Sequence, residues 1–272
     1  MTNTELARKT DHTILKANAT YEEIKQTIAY AAEIGAASVC LNPAYVALAA
    51  EMLRGTSTLV CTVIGFPLGA NSTLTKAQEA RAAYRYGARE LDMVINISAL
   101  KSGNLAYVKK DIEAVVNATP ALVKVILENC YLTKEEIATA CRLAAEAGAD
   151  YVKTSTGFGP SGARAEDVAL MKASVPAGIK VKAAGGIGTL ADVKAMLAAG
   201  ADRVGMSRTA GVLAELAAEN AAEKAKPASG AKAPAKPAAK PKAAAKKAPA
   251  KRAAKAPAAA KKPAKKTTKT PE

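Results

Sequence analysis

Through most of the chain, short runs of apolar side chains alternate with longer Ala-rich stretches that end near glycine. The apolar runs are ASVCL (37–41), TLVCTVIG (58–65), ELDMVIN (90–96), ALVKVILE (121–128), DYVKTST (150–156), IKVKAAG (179–185) and ADRVGMS (201–207). Such near-continuous runs suit parallel strands covered by helices better than antiparallel strands with one wet face. The stretches between them carry helix signals. Thr20, Thr75, Thr133 and Thr189 each stand three residues before Glu23, Gln78, Glu136 and Asp192, the spacing of a capping box, with Asp192 the weaker match. Pro43 suits a first helical turn, and Gly35, Gly87, Gly148 and Gly200 stand where helices would close.

Seven strands are plain, and DHTIL (11–15), just ahead of the first capping box, supplies an eighth. Eight alternating strand and helix units within residues 1–222 predict a closed (β/α)8 TIM barrel of the α/β class. The alternative is an open doubly wound sheet. It lacks support, because no GxGxxG follows an early strand and Gly185-Gly186-Ile187-Gly188 is too short and too late in the chain.

Charge divides the chain in two. Residues 223–272 hold sixteen Lys or Arg against two Glu, whereas residues 1–222 hold 23 basic and 22 acidic side chains. The sequence therefore predicts a nearly neutral barrel domain (1–222) followed by a disordered Lys/Ala/Pro-rich tail (223–272). The tail has no large apolar side chain to bury, and its prolines interrupt every candidate helix. An extended cationic arm of this kind is suited to nonspecific nucleic-acid contact through counterion release, with a solubilising spacer as the alternative. The amino terminus shows no apolar signal core and no apolar run reaches membrane-spanning length, so a cytoplasmic protein with no membrane contact is expected. Cys40, Cys61, Cys130 and Cys141 form no CxxC pair and His12 is the sole histidine, which argues against a Cys/His zinc site.

Four successive strands carry one central ionisable residue each: Asp92, Lys124, Lys153 and Lys182. The two-residue period of a strand can aim all four at the barrel axis, with Asp11 joining from the first strand. Lysine is rarely buried without a reason. Burial and neighbouring ammonium groups favour the neutral amine, which can attack a carbonyl and form a Schiff base while carboxylates move protons. Spacing does not rank the three lysines. Lys153 precedes the hydroxyl-rich turn Thr154-Ser155-Thr156-Gly157, and Lys182 precedes Gly185-Gly186. The competing interpretation is a buried ion network that only stabilises the barrel.

Gly185-Gly186 after the seventh strand and Gly205-Met206-Ser207-Arg208 after the eighth occupy the two loops that form a phosphate cradle in many barrels. Backbone N–H groups, the Ser207 hydroxyl and the Arg208 guanidinium are its candidate donors. No nucleophile elbow accompanies His12, Cys40 reads as a pocket or core thiol, and three lysines would repel a metal cation. A covalent mechanism with no metal and no cofactor is favoured. Other phosphate-handling aldolase or isomerase barrels, or a barrel serving as a nucleic-acid-associated scaffold, remain the competing functions.

These motifs together resemble the deoxyribose-phosphate aldolases, a class I aldolase family. DHTILK (11–16), SVCLNP (38–43), CTVIGFPLGA (61–70), ELDMVINISALKSG (90–103), DYVKTSTGF (150–158), VKAAGGI (181–187) and DRVGMS (202–207) carry the resemblance in order. It implies reversible cleavage of 2-deoxy-D-ribose 5-phosphate to D-glyceraldehyde 3-phosphate and acetaldehyde. It also implies Lys153 as the Schiff-base residue, Lys182 as a second catalytic lysine and Asp92 as the proton relay. Asp11 and Lys124 match further pocket members. Gly157, Gly185, Gly186, Gly205 and Ser207 match the phosphate loops, and a homo-oligomer, often a dimer, is expected. Thr156 and Cys40 complete the expected substrate contacts. Three features depart from the family pattern: Gly188 where an arginine is common, Arg208 where a small or hydroxyl residue is common, and the run GFGPSGA (157–163).

The tail generates the first expectation. A salt-sensitive gel retardation of DNA or RNA by the full chain should disappear on removal of residues 223–272, and a shift that survives the deletion would place polyanion contact elsewhere.

Overall fold

A computed structural model describes residues 1–225 of the 272, so the expected tail lies almost wholly outside the described residues. The eight strands are β1 (Thr10–Ile14), β2 (Ser38–Leu41), β3 (Leu59–Ile64), β4 (Glu90–Val94), β5 (Leu122–Ile126), β6 (Tyr151–Lys153), β7 (Lys180–Ala184) and β8 (Arg203–Met206). Each pairs in parallel with the next, and β8 pairs with β1 to close the barrel. Closure excludes the open sheet.

Helices cover the outside of the barrel: α1 (Asn3–Ala7), α2 (Tyr21–Glu33), α3 (Val46–Met52), α4 (Thr73–Tyr86), α5 (Ile97–Lys101), α6 (Leu105–Val116), α7 (Lys134–Glu146), α8 (Ala165–Ser174), α9 (Leu190–Ala198) and α10 (Thr209–Ala225). The expected domain boundary at 222 thus falls inside the last turn of α10. Capping boxes form at Thr20, Thr133 and Thr189, and Asp192 closes its box as well as the glutamates close theirs. The start expected at Thr75 moves back to Ser72, whose Oγ accepts the Thr75 N–H at 3.3 Å. Thr75 is therefore in the first turn of α4 rather than at its cap.

The period of two sorts the strand residues. Asp92, Lys124, Lys153 and Lys182 turn inward, while their neighbours Leu91, Met93, Val123, Val125, Val152, Val181 and Ala183 turn outward into the apolar layer beneath the helices. The helices meet that layer with stripes at spacings of three and four, such as Ile24, Ile28 and Ala31 on α2 and Val108, Ile112 and Val115 on α6.

β6 is shorter than its apolar run. Beyond Lys153 the Thr154 N–H still donates to the Lys182 carbonyl of β7 at 3.1 Å, and its side chain extends the pairing: Oγ1 accepts the Ala184 N–H and donates to the Ala184 carbonyl, both at 3.0 Å. The chain then leaves the sheet after Thr154, into the turn at Thr156 and Gly157.

One ion pair is buried in the helical layer. Lys76 Nζ on α4 lies 2.6 Å from Asp111 Oδ2 on α6 and donates to the Val94 carbonyl at the end of β4 at 2.9 Å, with both side chains fully buried. Replacing Lys76 by Met would strand the Asp111 carboxylate. The expected loss in urea unfolding is about 3–5 kcal/mol, largely recovered in the Lys76→Met/Asp111→Leu double variant.

Candidate active site

Inside the barrel the inward positions of six strands converge. Asp92 on β4 is the hub. Its Oδ2 lies 2.6 Å from Lys153 Nζ on β6 and 2.7 Å from Lys182 Nζ on β7, and its Oδ1 lies 2.8 Å from Lys124 Nζ on β5. Lys124 also reaches Glu90 Oε2 at 2.6 Å and Asp11 Oδ2 at 3.5 Å. Lys182 pairs with Asp11 as well. Arg203 at the start of β8 closes the group, with Nη1 2.6 Å from Asp11 Oδ1 and Nη2 3.3 Å from Glu90 Oε1. The approaches to Asp11 Oδ2 and Glu90 Oε2 are charge contacts without hydrogen-bond alignment.

Register makes this convergence possible. Asp92 is level with Lys124 across β4 and β5, and Lys153, Lys182 and Arg203 are level across β6, β7 and β8. Gly205 is also required: a Cβ there would stand 3.0 Å from Lys182 Cε, in the path of the lysine stem.

Mutual compensation sets the protonation of the group. Burial alone would raise the Asp92 carboxyl, but the ammonium groups of Lys124, Lys153 and Lys182 hold it well below the usual carboxylate range. Asp11 is likewise held down, against burial, by Lys124, Lys182 and Arg203. Burial would lower Lys124 and Lys182, yet the carboxylates of Asp11 and Asp92 raise both above the ordinary lysine value. The neutral-amine expectation therefore does not extend to these two lysines. Burial, with Cys40 and Asp92 close by, keeps the Cys61 thiol protonated; its Sγ lies 3.2 Å from Asp92 Oδ1 and 3.3 Å from Lys124 Nζ.

Two sets of potential metal donors come close together here, Cys40, Cys61 and Asp92, and Asp11, Cys61 and Glu90. Their carboxylates already hold lysine ammonium groups, and a divalent cation would have to displace these.

Above the cluster, at the carboxyl ends of the strands, opens a cavity of about 810 Å³. Of the sequence-predicted residues, Lys153, Lys182, Thr156, Gly157, Gly185, Gly186, Gly205 and Ser207 line it. Asp92, Asp11 and Lys124 lie beneath it in the ion cluster. Cys40 is fully buried in a small apolar group with Leu15, Cys61 and Val63, so it is a core thiol outside the cavity wall. Arg208 is exposed and also outside the wall; its Cδ lies 3.4 Å from where a Cβ on Gly188 would stand. Lys16, Lys153 and Lys182 line the cavity with one carboxylate, Glu23, a lining that suits an anionic ligand. His12 lines the cavity too, with Nδ1 2.8 Å from Thr209 Oγ1, and burial lowers it to about 4. It is a neutral ring near pH 7, with no catalytic serine beside it.

The profile of the DeoC/LacD family aldolases matches residues 6–219. The chain belongs to that family. It is 57% identical over 206 residues to the deoxyribose-phosphate aldolase of Thermoanaerobacter sp. (strain X514), covering 74% of this chain and 92% of the relative. It is 54% identical over 210 residues to the one from Bacillus cereus (strain AH187), covering 76% and 94%. Among solved structures, the tetrameric deoxyribose phosphate aldolase from Aeropyrum pernix superposes with a TM-score of 0.75 at 32% identity, covering 80% of this chain and 93% of that one. This chain is thus an aldolase of the deoxyribose-phosphate aldolase group, a carbon–carbon lyase. Among its described residues no helix is long and apolar enough to cross a membrane.

The aldolase barrel also uses residues that the sequence did not single out. Glu90 and Arg203 complete the ion cluster. Glu128, just past β5, is buried with φ at 57°, the left-handed region that a residue with a long side chain rarely adopts. Its carboxylate accepts the Thr156 N–H, at 3.2 Å to Oε1, and the Thr156 hydroxyl. This contact fixes the turn at Thr156 and Gly157 that follows Lys153 into the cavity wall. Glu128→Gln, which keeps the length and weakens the contact, should raise KM for a phosphorylated substrate about tenfold with a smaller change in kcat. Steady-state kinetics would check this, and a pure kcat loss would contradict the assigned role.

Proposed function

We propose that the protein reversibly cleaves 2-deoxy-D-ribose 5-phosphate to D-glyceraldehyde 3-phosphate and acetaldehyde through a Schiff base on Lys153. The observation that carries this reading is the unequal sharing of carboxylates. Lys124 contacts three and Lys182 two, but Lys153 contacts only Asp92. Of the two lysines in the cavity wall, Lys153 is the one least bound by negative charge, which leaves its Nζ the freer to reach a carbonyl carbon.

The chemistry follows from that amine. Lys153 Nζ attacks C1 of the open-chain aldehyde, and loss of water leaves an iminium. The C2–C3 bond then breaks: its electron pair flows into the iminium to form an enamine, and the C3 hydroxyl loses its proton as it becomes the aldehyde of glyceraldehyde 3-phosphate. Protonation of the enamine carbon and addition of water release acetaldehyde and restore the amine. Asp92 suits proton movement because one oxygen, Oδ2, touches both Lys153 and Lys182. Lys182, held as an ammonium between two carboxylates, can donate at the reacting carbon or to ordered water. The phosphate is assigned to the wall formed by Gly157, Gly185, Gly186, Gly205 and Ser207, which share one cavity with Lys153. The substrate places the enzyme in deoxyribonucleoside breakdown. Assembly into a homo-oligomer belongs to the same reading, supported by the exposed apolar side chains Leu68 and Leu74 near the start of α4.

Borohydride added during turnover of deoxyribose 5-phosphate should fix the two-carbon fragment on the peptide containing Lys153 and abolish activity. Turnover without any adduct, or an adduct on Lys182, would overturn the assignment.

A further inference from the structure

Arg203 stands at the foot of the ion cluster and does not line the cavity. Its guanidinium bridges Asp11 and Glu90 and lies over the Tyr151 ring at 5.7 Å. The charges that face the cluster can be taken strand by strand. Asp11 comes from β1, Glu90 and Asp92 from β4, Lys124 from β5, Lys153 from β6, Lys182 from β7 and Arg203 from β8. β2 and β3 contribute the thiols of Cys40 and Cys61; burial keeps the Cys61 thiol protonated, while its hydrogen bond to Cys40 draws the Cys40 thiol below its ordinary value. Tyr151 lies between Arg203 and the largely exposed Lys180, whose Nζ is 5.6 Å from the ring. Three carboxylates therefore face four cations.

A buried group with a surplus charge is unfavourable, and the surplus leaves by loss of a proton. Arginine does not supply that proton, because its guanidinium stays charged at any working pH. Lys124 and Lys182 are each held by two or more carboxylates. Without the Arg203 charge, only three lysines would face the three carboxylates, and Asp11 and Glu90 would have only Lys124 and Lys182 as partners.

We propose that Arg203 is a positioning residue that sets the charge of the cluster: its permanent charge occupies Asp11 and Glu90 and so leaves Lys153 with Asp92 as its single carboxylate, although it touches neither Lys153 nor the cavity. The proposal rests on Lys153 being the nucleophile.

The test is the pH dependence of kcat/KM for deoxyribose 5-phosphate. Arg203→Gln should move the acidic limb upward by on the order of one pH unit, so that activity falls about tenfold below the limb and recovers at higher pH. Glu90→Gln should move the limb the other way, the Glu90→Gln/Arg203→Gln double variant should return it toward its original place, and Arg203→Lys should shift it less than Arg203→Gln. A folded Arg203→Gln enzyme whose limb is unmoved, with activity lost equally at every pH, would overturn the proposal. If Arg203→Gln does not fold, the comparison is between Glu90→Gln and the double variant, whose limb must lie above that of Glu90→Gln for the proposal to stand. Borohydride trapping at high pH separates this idea from the reading beneath it. An adduct on Lys153 with an unmoved limb defeats only the role of Arg203, whereas turnover with no adduct on Lys153 defeats the nucleophile assignment itself.

Discussion

The barrel interior depends on the mutual neutralisation of charges withheld from water. Each of Asp11, Glu90, Asp92, Lys124, Lys153 and Lys182 would be strongly unfavourable if buried alone, and each is tolerable only because the others are within ion-pair distance. That requirement reaches outward. The strands must be in register for Lys153, Lys182 and Arg203 to be neighbours, the barrel must be closed for β8 to bring Arg203 against Asp11 of β1, and position 205 must lack a side chain for Lys182 to cross. Folding and reactivity thus draw on one set of contacts.

Asp92 illustrates the compromise. A carboxylate that only stabilised the barrel would be served as well by one partner, yet Asp92 divides two oxygens among three ammonium groups and a thiol. Sharing weakens its hold on each, and Lys153, with no second carboxylate, is the group most easily released.

Much of this was legible in the sequence because lysine or aspartate in the middle of an apolar run is conspicuous. Asp92, Lys124, Lys153 and Lys182 all announce themselves that way, and the alternation of apolar strands with capped helices gave the barrel. Glu90 and Arg203 begin their strands, where a charged residue ordinarily reaches water, so charge alone does not mark them as cluster members. A signal for Glu90 did exist: it stands two residues before Asp92, on the same face of β4. Glu128 was hidden for another reason, since its importance lies in a backbone conformation that residue identity does not reveal. The shift of the α4 start to Ser72 reflects two hydroxyl residues three apart that satisfy the same capping rule. Cys40, read as a pocket or core thiol, lies beneath the cavity beside Cys61 and Asp92, and Arg208, adjacent to Ser207 in the chain, is exposed outside the wall.

Because the ion cluster lies below the cavity and the recognition loops above it, the two storeys answer to different constraints. Uncharged exchanges among wall residues such as Phe158 or Ile187 leave the proton balance beneath untouched, whereas a new acid or base in the wall would be felt by the amine through a poorly screened medium. Redesign for other aldehydes accordingly has most freedom in shape and least in electrical sign.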